Sequence, residues 1–395
     1  MSTPLRPLVD PADGLTREEL TRYARNLTLP QLGTQGQLRL KAARVLVIGA
    51  GGLGSPALQY LAAAGVGTIG IVDDDVVDVS NLHRQVIHGT ADVGRPKVDS
   101  AADAVARINP LVTVRTHPVR LDATNAVDLV SQYDLVLDGA DNFATRYVVS
   151  DACTLTGVPC VWGSILRFEG RVSVFWAGHG PTYRDLHPDP PEPGEVPSCA
   201  DGGVLGMLPA TIGSIMVTEA TKLITGIGAP LIGRVLLHDA EAMTWREVGL
   251  SVDPDAPPVT SVETPEPVCG VEPAPHELVT AAQLADLLAR RAQGRASLCL
   301  IDVREPWERE VESIPGSVAV PLADLLAKGA AALPSQARGA DLVLHCRSGV
   351  RSAQALAAIR AYYAGREEGV RHLDGGIEAW LQGVDSGPGG VGDPT

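Results

Sequence analysis

No apolar run in this sequence approaches the ~20 residues that a membrane-spanning helix requires, and the opening MSTPLRPLVDPADG lacks the apolar stretch of a secretory leader. A cytoplasmic protein with no membrane partner is therefore expected. C-x-x-C pairs are also missing. Cys153, Cys160, Cys199, Cys269, Cys299 and Cys346 are scattered without regular spacing, which suits neither a disulfide framework nor a zinc site. Reduced thiols are expected. There is no run of lysine and arginine, and a formal net charge of -15 would repel a phosphate backbone, so nucleic acid is not an expected partner. Lysine is rare, at Lys41, Lys97, Lys222 and Lys328 only, which gives weight to a lysine inside a motif.

With 395 residues, 45% of them hydrophobic, the chain exceeds one ordinary domain. LTREELTRYARNL (15–27) opens on a Thr with Glu three residues later, a capping-box start for a helix. ARVLVIGAGGLGSPALQYLAAAGVGTIGIVDDD (43–75) reads strand, Gly-rich turn, helix, strand, with apolar runs suited to a buried parallel sheet. Alternation continues through TVRTHPV, NAVDLVSQ, DLVLDGAD, a helix from Phe143 to Leu155, and VPCVWGSI, the pattern of a doubly wound α/β fold. The strand RVSVFW, a polar Pro-rich loop (180–200), a helix over LPATIGSIMVTEATKLITG and the strands RVLLHDA and MTWREVGL follow.

Residues 251–276, rich in proline and acid, read as a semi-rigid linker able to reach ~80 Å. A second, smaller α/β pattern lies beyond it, from the helix TAAQLADLLARR and strand LCLIDVR to the strand DLVLHC, the helix RSAQALAAIRAYY, the strand VRHLDGG and the helix IEAWLQ. The expected division is an N-terminal helical segment (1–40), a nucleotide-binding domain (41–250), the linker (251–276), a second domain (277–385) and a tail (386–395).

GAGGLG places Gly49, Gly51 and Gly54, with Gly52 between them, in a G-x-G-x-x-G turn after a strand and before a helix, where N–H groups meet phosphates. NAD, FAD and ATP sites all use such a turn. Asp73, closing the next strand, can accept ribose hydroxyls, and these two features alone lean slightly toward an NAD-dependent oxidoreductase. Three further residues tip the balance. Arg84 in SNLHRQ is by itself an ordinary solvated arginine, and Asp141 in DGADN is by itself an ordinary helix cap. Lys97 in GRPKV stands at a helix start, where a cation opposes the helix dipole. Together they supply two cations for phosphate oxygens and a carboxylate for Mg²⁺, the inventory of nucleotidyl transfer. Hydride transfer needs none of them.

RYARNLTLPQLG, GAGGLGSPALQYLAAAGVGTIGIVDDDVVDVSNLHRQ, GRPKV, DGADN, GSILRFEGRVSVF and CADGGVLG, in that order, resemble the MoeB/ThiF branch of the ubiquitin-activating enzyme family over about residues 15–250. The resemblance implies ATP-dependent adenylylation of the C-terminal glycine of a ubiquitin-fold sulfur-carrier protein by a homodimer. It implies Asp73 as ribose ligand, Asn81, Arg84 and Lys97 as phosphate contacts, Asp141 with Asn142 beside it at the Mg²⁺ position, and Arg25 reaching the partner subunit's nucleotide. Cys199 in PSCADGGVLG corresponds to a cysteine that in this family sometimes holds the activated acyl group or resolves an acyl-disulfide; the alternative is a free cysteine without a task. Relatives often bind zinc through two C-x-x-C pairs, but the corresponding stretches here, PTYRDLHP and VDPDAPPVT, have no cysteine, so structural zinc is not expected.

CRSGVR sets Cys346 five positions before Arg351, between a strand and a helix. Such a loop can curl N–H groups around the sulfur, with the helix dipole, Arg347 and Arg351 adding positive charge, all of which favour a thiolate. A phosphatase loop is one residue longer; the shorter one fits a persulfide. IDVREPWE, IPGSVAVPL and LDGGIEAW make about residues 277–385 resemble rhodanese, although VESIPG lacks the Gly-His common before IPG. Asp302 and Arg304 are expected to brace this loop from within, and His345, Cys153, Cys160, Trp162, Trp176 and Trp380 to be packing residues. The fused arrangement is similar to MoeZ-type enzymes, with thiosulfate or a cysteine desulfurase as sulfur donor. A purely docking or regulatory rhodanese domain is the alternative.

Overall fold

A computed structural model describes residues 5–190, 203–263, 273–364 and 369–385, which fall into two compact units. The first begins with three helices, α1 (Arg17–Arg22), α2 (Ala24–Leu27) and α3 (Gly33–Ala42). The expected capping box is present: the Thr16 hydroxyl accepts from the Glu19 N–H at 3.2 Å, and the Glu19 carboxylate accepts from the Thr16 N–H at 2.6 Å. The single helix read over this stretch is instead broken at Tyr23, a buried residue whose hydroxyl oxygen accepts a hydrogen bond from the Asn109 amide at 2.8 Å. Tertiary packing of that ring overrides local helix preference.

Alternation follows: β1 (Arg44–Ile48), α4 (Gly54–Ala64), β2 (Thr68–Val72), α5 (Lys97–Ile108), β3 (Thr113–His117), α6 (Ala126–Val130), β4 (Leu135–Asp138), α7 (Phe143–Thr156) and β5 (Cys160–Leu166). Then come β6 (Glu169–Phe175), α8 (Tyr183–Leu186), α9 (Leu208–Thr225), β7 (Arg234–Asp239) and β8 (Thr244–Gly249). The strands form one sheet in the order β3-β2-β1-β4-β5-β6-β7-β8, parallel through β5 and antiparallel beyond. Successive side chains leave a strand on opposite faces. Val45 and Val47 accordingly join one core with Leu58, Val98 and Met216 on the helices, while Leu46 and Ile48 join the other with Val130, Tyr147 and Trp162. Cys153 and Cys160 are buried in the second core, as expected.

Two stretches differ from their expected reading. The Pro-rich loop contains the short helix α8, started by a Thr182–Asp185 capping box. The first part of the linker stays with this unit, since the Asp253 N–H donates to Asp185 at 2.7 Å and Val262 packs on the second core.

The second unit holds β9 (Leu278–Val279), α10 (Ala281–Ala292), β10 (Leu298–Asp302), α11 (Pro306–Val311), β11 (Val318–Ala319), α12 (Leu322–Lys328), β12 (Asp341–His345), α13 (Val350–Tyr363), β13 (Val370–Leu373) and α14 (Gly376–Asp385). Its sheet order is β11-β10-β12-β13-β9, all parallel, with a core on each face. Among the described residues no helix is long and apolar enough to cross a membrane.

Candidate functional sites: a charged cleft and a buried cysteine

In open parallel sheets, ligands gather outside the carboxyl ends of the strands where the strand order reverses. In the first unit that point lies between β1 and β4, and a cleft of about 340 Å³ opens there. The turn after β1 contributes Gly49, Gly51 and Gly52. Gly49 has φ +85°, and a Cβ on Gly54 would collide with the Gly49 carbonyl, so the GAGGLG spacing is a steric requirement here. The turn after β2 contributes Asp73, Asp74 and Asp75; the turn after β4 contributes Asp141 and Asn142.

Arg84 and Lys97 line the same cleft. Lys97, the first residue of α5, is only 6% exposed, and its ammonium pairs with Asp75 at 2.8 Å. That pairing is the local reason a lysine tolerates a helix N-terminus. Arg84 donates to the Ser80 carbonyl at 3.2 Å and to the His83 ring at 2.9 Å. Burial raises the Asp73 pKa against the opposing pull of Lys97 and of the N–H groups of Asp75 and Ala50. The Asp141 loop is held from behind: Ala140 donates its N–H to Asp138 at 3.0 Å and accepts at its carbonyl from Arg146 at 3.0 and 3.2 Å. Complete burial pushes Asp138 up to about 6, with Arg146 opposing.

Not every expected residue reaches the cleft. Asn81 does not line it; its carbonyl accepts from the N–H groups of Arg84 and Gln85, both at 3.0 Å, and so shapes the turn that presents them. Arg25 is exposed on α2, away from the cleft. Cys199 lies outside the described residues. Sequence reasoning missed Gln85, which lines the cleft with a buried Oε1 lacking a partner, and Arg146. Gln85 follows Arg84 directly in SNLHRQ, and that adjacency was the available signal.

In the second unit Cys346 follows β12 and sits 1% exposed below its loop. Its Sγ accepts from the Gly349 N–H at 3.1 Å, with the Ser352 hydroxyl at 3.6 Å. The flanking arginines are engaged by carboxylates: Arg351 makes a bidentate pair with Glu308 at 2.6 and 2.7 Å, and Arg347 meets Glu378 at 2.7 Å. Their field at the sulfur is therefore partly offset, and the Gly349 N–H at the start of α13 is the backbone donor that meets the sulfur. Asp302, fully buried, is held by Arg304 at 2.9 and 3.0 Å and by Arg309 at 3.0 Å; with the Glu312 carbonyl and Ser317 these bonds tie residues 302–317 together, and none of them reaches the Cys346 loop that they were expected to brace. His345 is fully buried and burial pushes its pKa down to about 4, so its 3.7 Å approach to Asp302 is not an ion pair at neutral pH.

Residues 23–257 match the ThiF family and residues 280–382 match the rhodanese-like domain. The chain belongs to the ThiF family. A Mycobacterium tuberculosis protein described as adenylyltransferase/sulfurtransferase MoeZ is 56% identical across 97% of this chain and 98% of its own length. A Thermus thermophilus sulfur carrier protein adenylyltransferase is 51% identical across 67% of this chain and 96% of its own. The Bos taurus adenylyltransferase and sulfurtransferase MOCS3 is 39% identical across 97% and 90%. Among solved structures, Escherichia coli MccB shares the fold, with a TM-score of 0.54 at 20% identity over 59% of this chain and 73% of that one. This ThiF-family member is thus an adenylyltransferase joined to a rhodanese-like sulfurtransferase.

Proposed function

We propose that the enzyme uses ATP to adenylylate the C-terminal Gly-Gly carboxylate of a ubiquitin-fold sulfur-carrier protein, then converts it to a thiocarboxylate with sulfur carried on Cys346. The observation that carries the first half is the convergence of a glycine turn, two cations and the carboxylates of Asp73 and Asp141 on one cleft. A carboxylate is a poor electrophile. Joining it to AMP gives it a good leaving group, and pyrophosphate departs with its charge held by Arg84 and Lys97.

The cleft's hard carboxylate oxygens suit Mg²⁺, which Asp141 would hold, with Asp73, Asp74 and Asp75 close by. Bound there, the ion would neutralise phosphate charge. Asp73 accepts from ribose, and the N–H groups of Gly51 and Gly52 face phosphate oxygens, whereas the Gly49 N–H is taken by the Val72 carbonyl at 2.8 Å and Gly54 does not line the cleft.

In the second half, Cys346 takes a sulfane sulfur from thiosulfate, releasing sulfite, or from a cysteine desulfurase. The terminal persulfide sulfur attacks the acyl carbonyl and AMP leaves, forming an acyl-disulfide with Cys346. Cys199 then attacks the Cys346 sulfur and releases the thiocarboxylate, and a cellular dithiol reduces the resulting Cys199–Cys346 disulfide. Arg347 and Arg351 flank the sulfur during transfer. The assembly is a cytoplasmic homodimer in which Arg25 of one protomer serves the nucleotide of its partner. It serves molybdopterin, thiamine, cysteine or another sulfur-containing product, and its domain limits are those of the sequence reading except that the start of the 251–276 stretch stays with the first unit.

Intact-mass analysis of a carrier ending in Gly-Gly, incubated with the enzyme, Mg-ATP and thiosulfate, tests this reading. Conversion of the terminal carboxylate to a thiocarboxylate is expected, and it should be lost in Cys346→Ala and in Lys97→Ala. Conversion that persists in Cys346→Ala would leave the rhodanese-like unit as a docking module.

A further inference from the structure

We infer that His88 is a positioning residue for nucleotide, acting through the carbonyl of Ala50 to aim the Gly51 N–H at the phosphates; this rests on reading the cleft as the ATP site. His88 is 6% exposed and lies four residues beyond Arg84. Its Nε2 is 3.0 Å from the Ala50 carbonyl oxygen, and its Nδ1 is 2.8 Å from the hydroxyl of Ser100 on α5. A carbonyl oxygen can only accept, so Nε2 carries the hydrogen. Burial lowers the imidazole pKa, and in the neutral ring Nδ1 is then the acceptor for the Ser100 hydroxyl. One tautomer satisfies both contacts.

Ala50 is fixed on both sides. Its N–H donates to Asp73 at 2.8 Å while its carbonyl is taken by His88. In a trans peptide the carbonyl and the following N–H point in opposite directions. Holding the Ala50 carbonyl toward the buried ring therefore turns the Gly51 N–H away from it. Gly51 lines the cleft, and its N–H has no intramolecular acceptor among the described residues. The same ring ties the segment bearing Arg84 to the glycine turn, so one contact sets the orientation of an N–H donor and the spacing of a cation. His88 touches no substrate in this arrangement.

The test is ATP–pyrophosphate exchange by the full chain with a carrier ending in Gly-Gly, comparing His88→Ala, His88→Gln, His88→Asn and Arg84→Ala. A glutamine amide nitrogen falls near the Nε2 position, whereas asparagine reaches only as far as Nδ1. The expected result is a rise of about tenfold in the KM for ATP in His88→Ala, the cost of a misdirected hydrogen bond to a charged group, with the KM for carrier unchanged. Glutamine should restore most of the loss and asparagine little. An unchanged KM for ATP in His88→Ala, or equal rescue by asparagine and glutamine, overturns the inference. If Arg84→Ala also leaves the KM for ATP unchanged, the reading of the cleft itself fails. Should His88→Ala not fold, the glutamine and asparagine pair still decides.

Discussion

The turn after β1 and the turn after β12 share a local recipe, an apolar strand leading through a small-residue loop into a helix, yet they dispose their charges in opposite ways. Around the glycine turn, cations and carboxylates from three strand ends face a common cleft. Around Cys346, flanking arginines are met by carboxylates within the unit, Arg351 by Glu308, Arg347 by Glu378 and Arg304 by Asp302, and the sulfur itself meets a backbone N–H. The first arrangement suits a large, highly charged ligand that brings its own counter-charge. The second suits a single polarisable atom, since charges paired beside the sulfur do not have to be rearranged when it is loaded or unloaded. Fold alone therefore does not set the chemistry; what stands around the turn does.

The sharpest way to break the comparison is Cys346→Ala. Thiosulfate:cyanide sulfur transfer should fall below detection while ATP–pyrophosphate exchange stays at the parent rate; loss of both would mean that the two turns do not act separately. Lys97→Ala should do the reverse, lowering exchange by about a hundredfold with sulfur transfer intact. Next in size is Glu308→Gln, which removes the carboxylate that receives two hydrogen bonds from the mostly buried Arg351 and should cost about 3 kcal/mol in urea denaturation at pH 7.

That loss should depend on pH in a defined direction. Burial raises the Glu308 pKa, but hydrogen bonds from Arg351 and the Glu305 N–H outweigh it, and the net shift is downward from 4.5. A depressed pKa contributes stability that is present above the ordinary value and lost as the pH falls through the folded one. The gap between parent and Glu308→Gln should therefore narrow below pH 4.5. The smallest effect belongs to Arg347→Ala, whose ion pair is half-exposed: stability within about 0.5 kcal/mol of the parent, and a KM for thiosulfate about threefold higher as the incoming dianion loses a nearby cation.

What could be read from the sequence was what is local. Thr16 with Glu19 marks a helix start, β1, β2 and β4 are apolar runs four to five residues long, and GAGGLG needs its glycines within six positions. Asp73 and Lys97 were legible because one follows a strand and the other opens a helix in a chain that otherwise makes little use of lysine, and Asp141 because it lies in the turn between β4 and α7, where Asn142 rather than Asp141 caps the helix. The break at Tyr23 was not, because its cause, Asn109, lies 86 residues away. The partnership of Arg351 with Glu308 spans 43 residues, so the partial offset of the arginine's charge beside the sulfur could not be read from CRSGVR. Arg146 could not be found by motif, since its contribution is to a carbonyl behind the site.

The glycines of LDGGIEAW, which served in the sequence only as a resemblance, bear directly on where this protein can be cut. The Cys346 and Arg347 carbonyls accept from the N–H groups of Ile377 and Glu378, at 2.8 and 3.1 Å, and so occupy donors that the first turn of a helix cannot satisfy within itself. Gly376 has φ +61°, and any Cβ there would strike the Arg347 carbonyl. The Cys346 loop and the start of the last helix are thus a single hydrogen-bonded piece assembled from two distant stretches of chain. A fragment ending before Gly376 would retain CRSGVR letter for letter and lose the support that gives those six residues their shape.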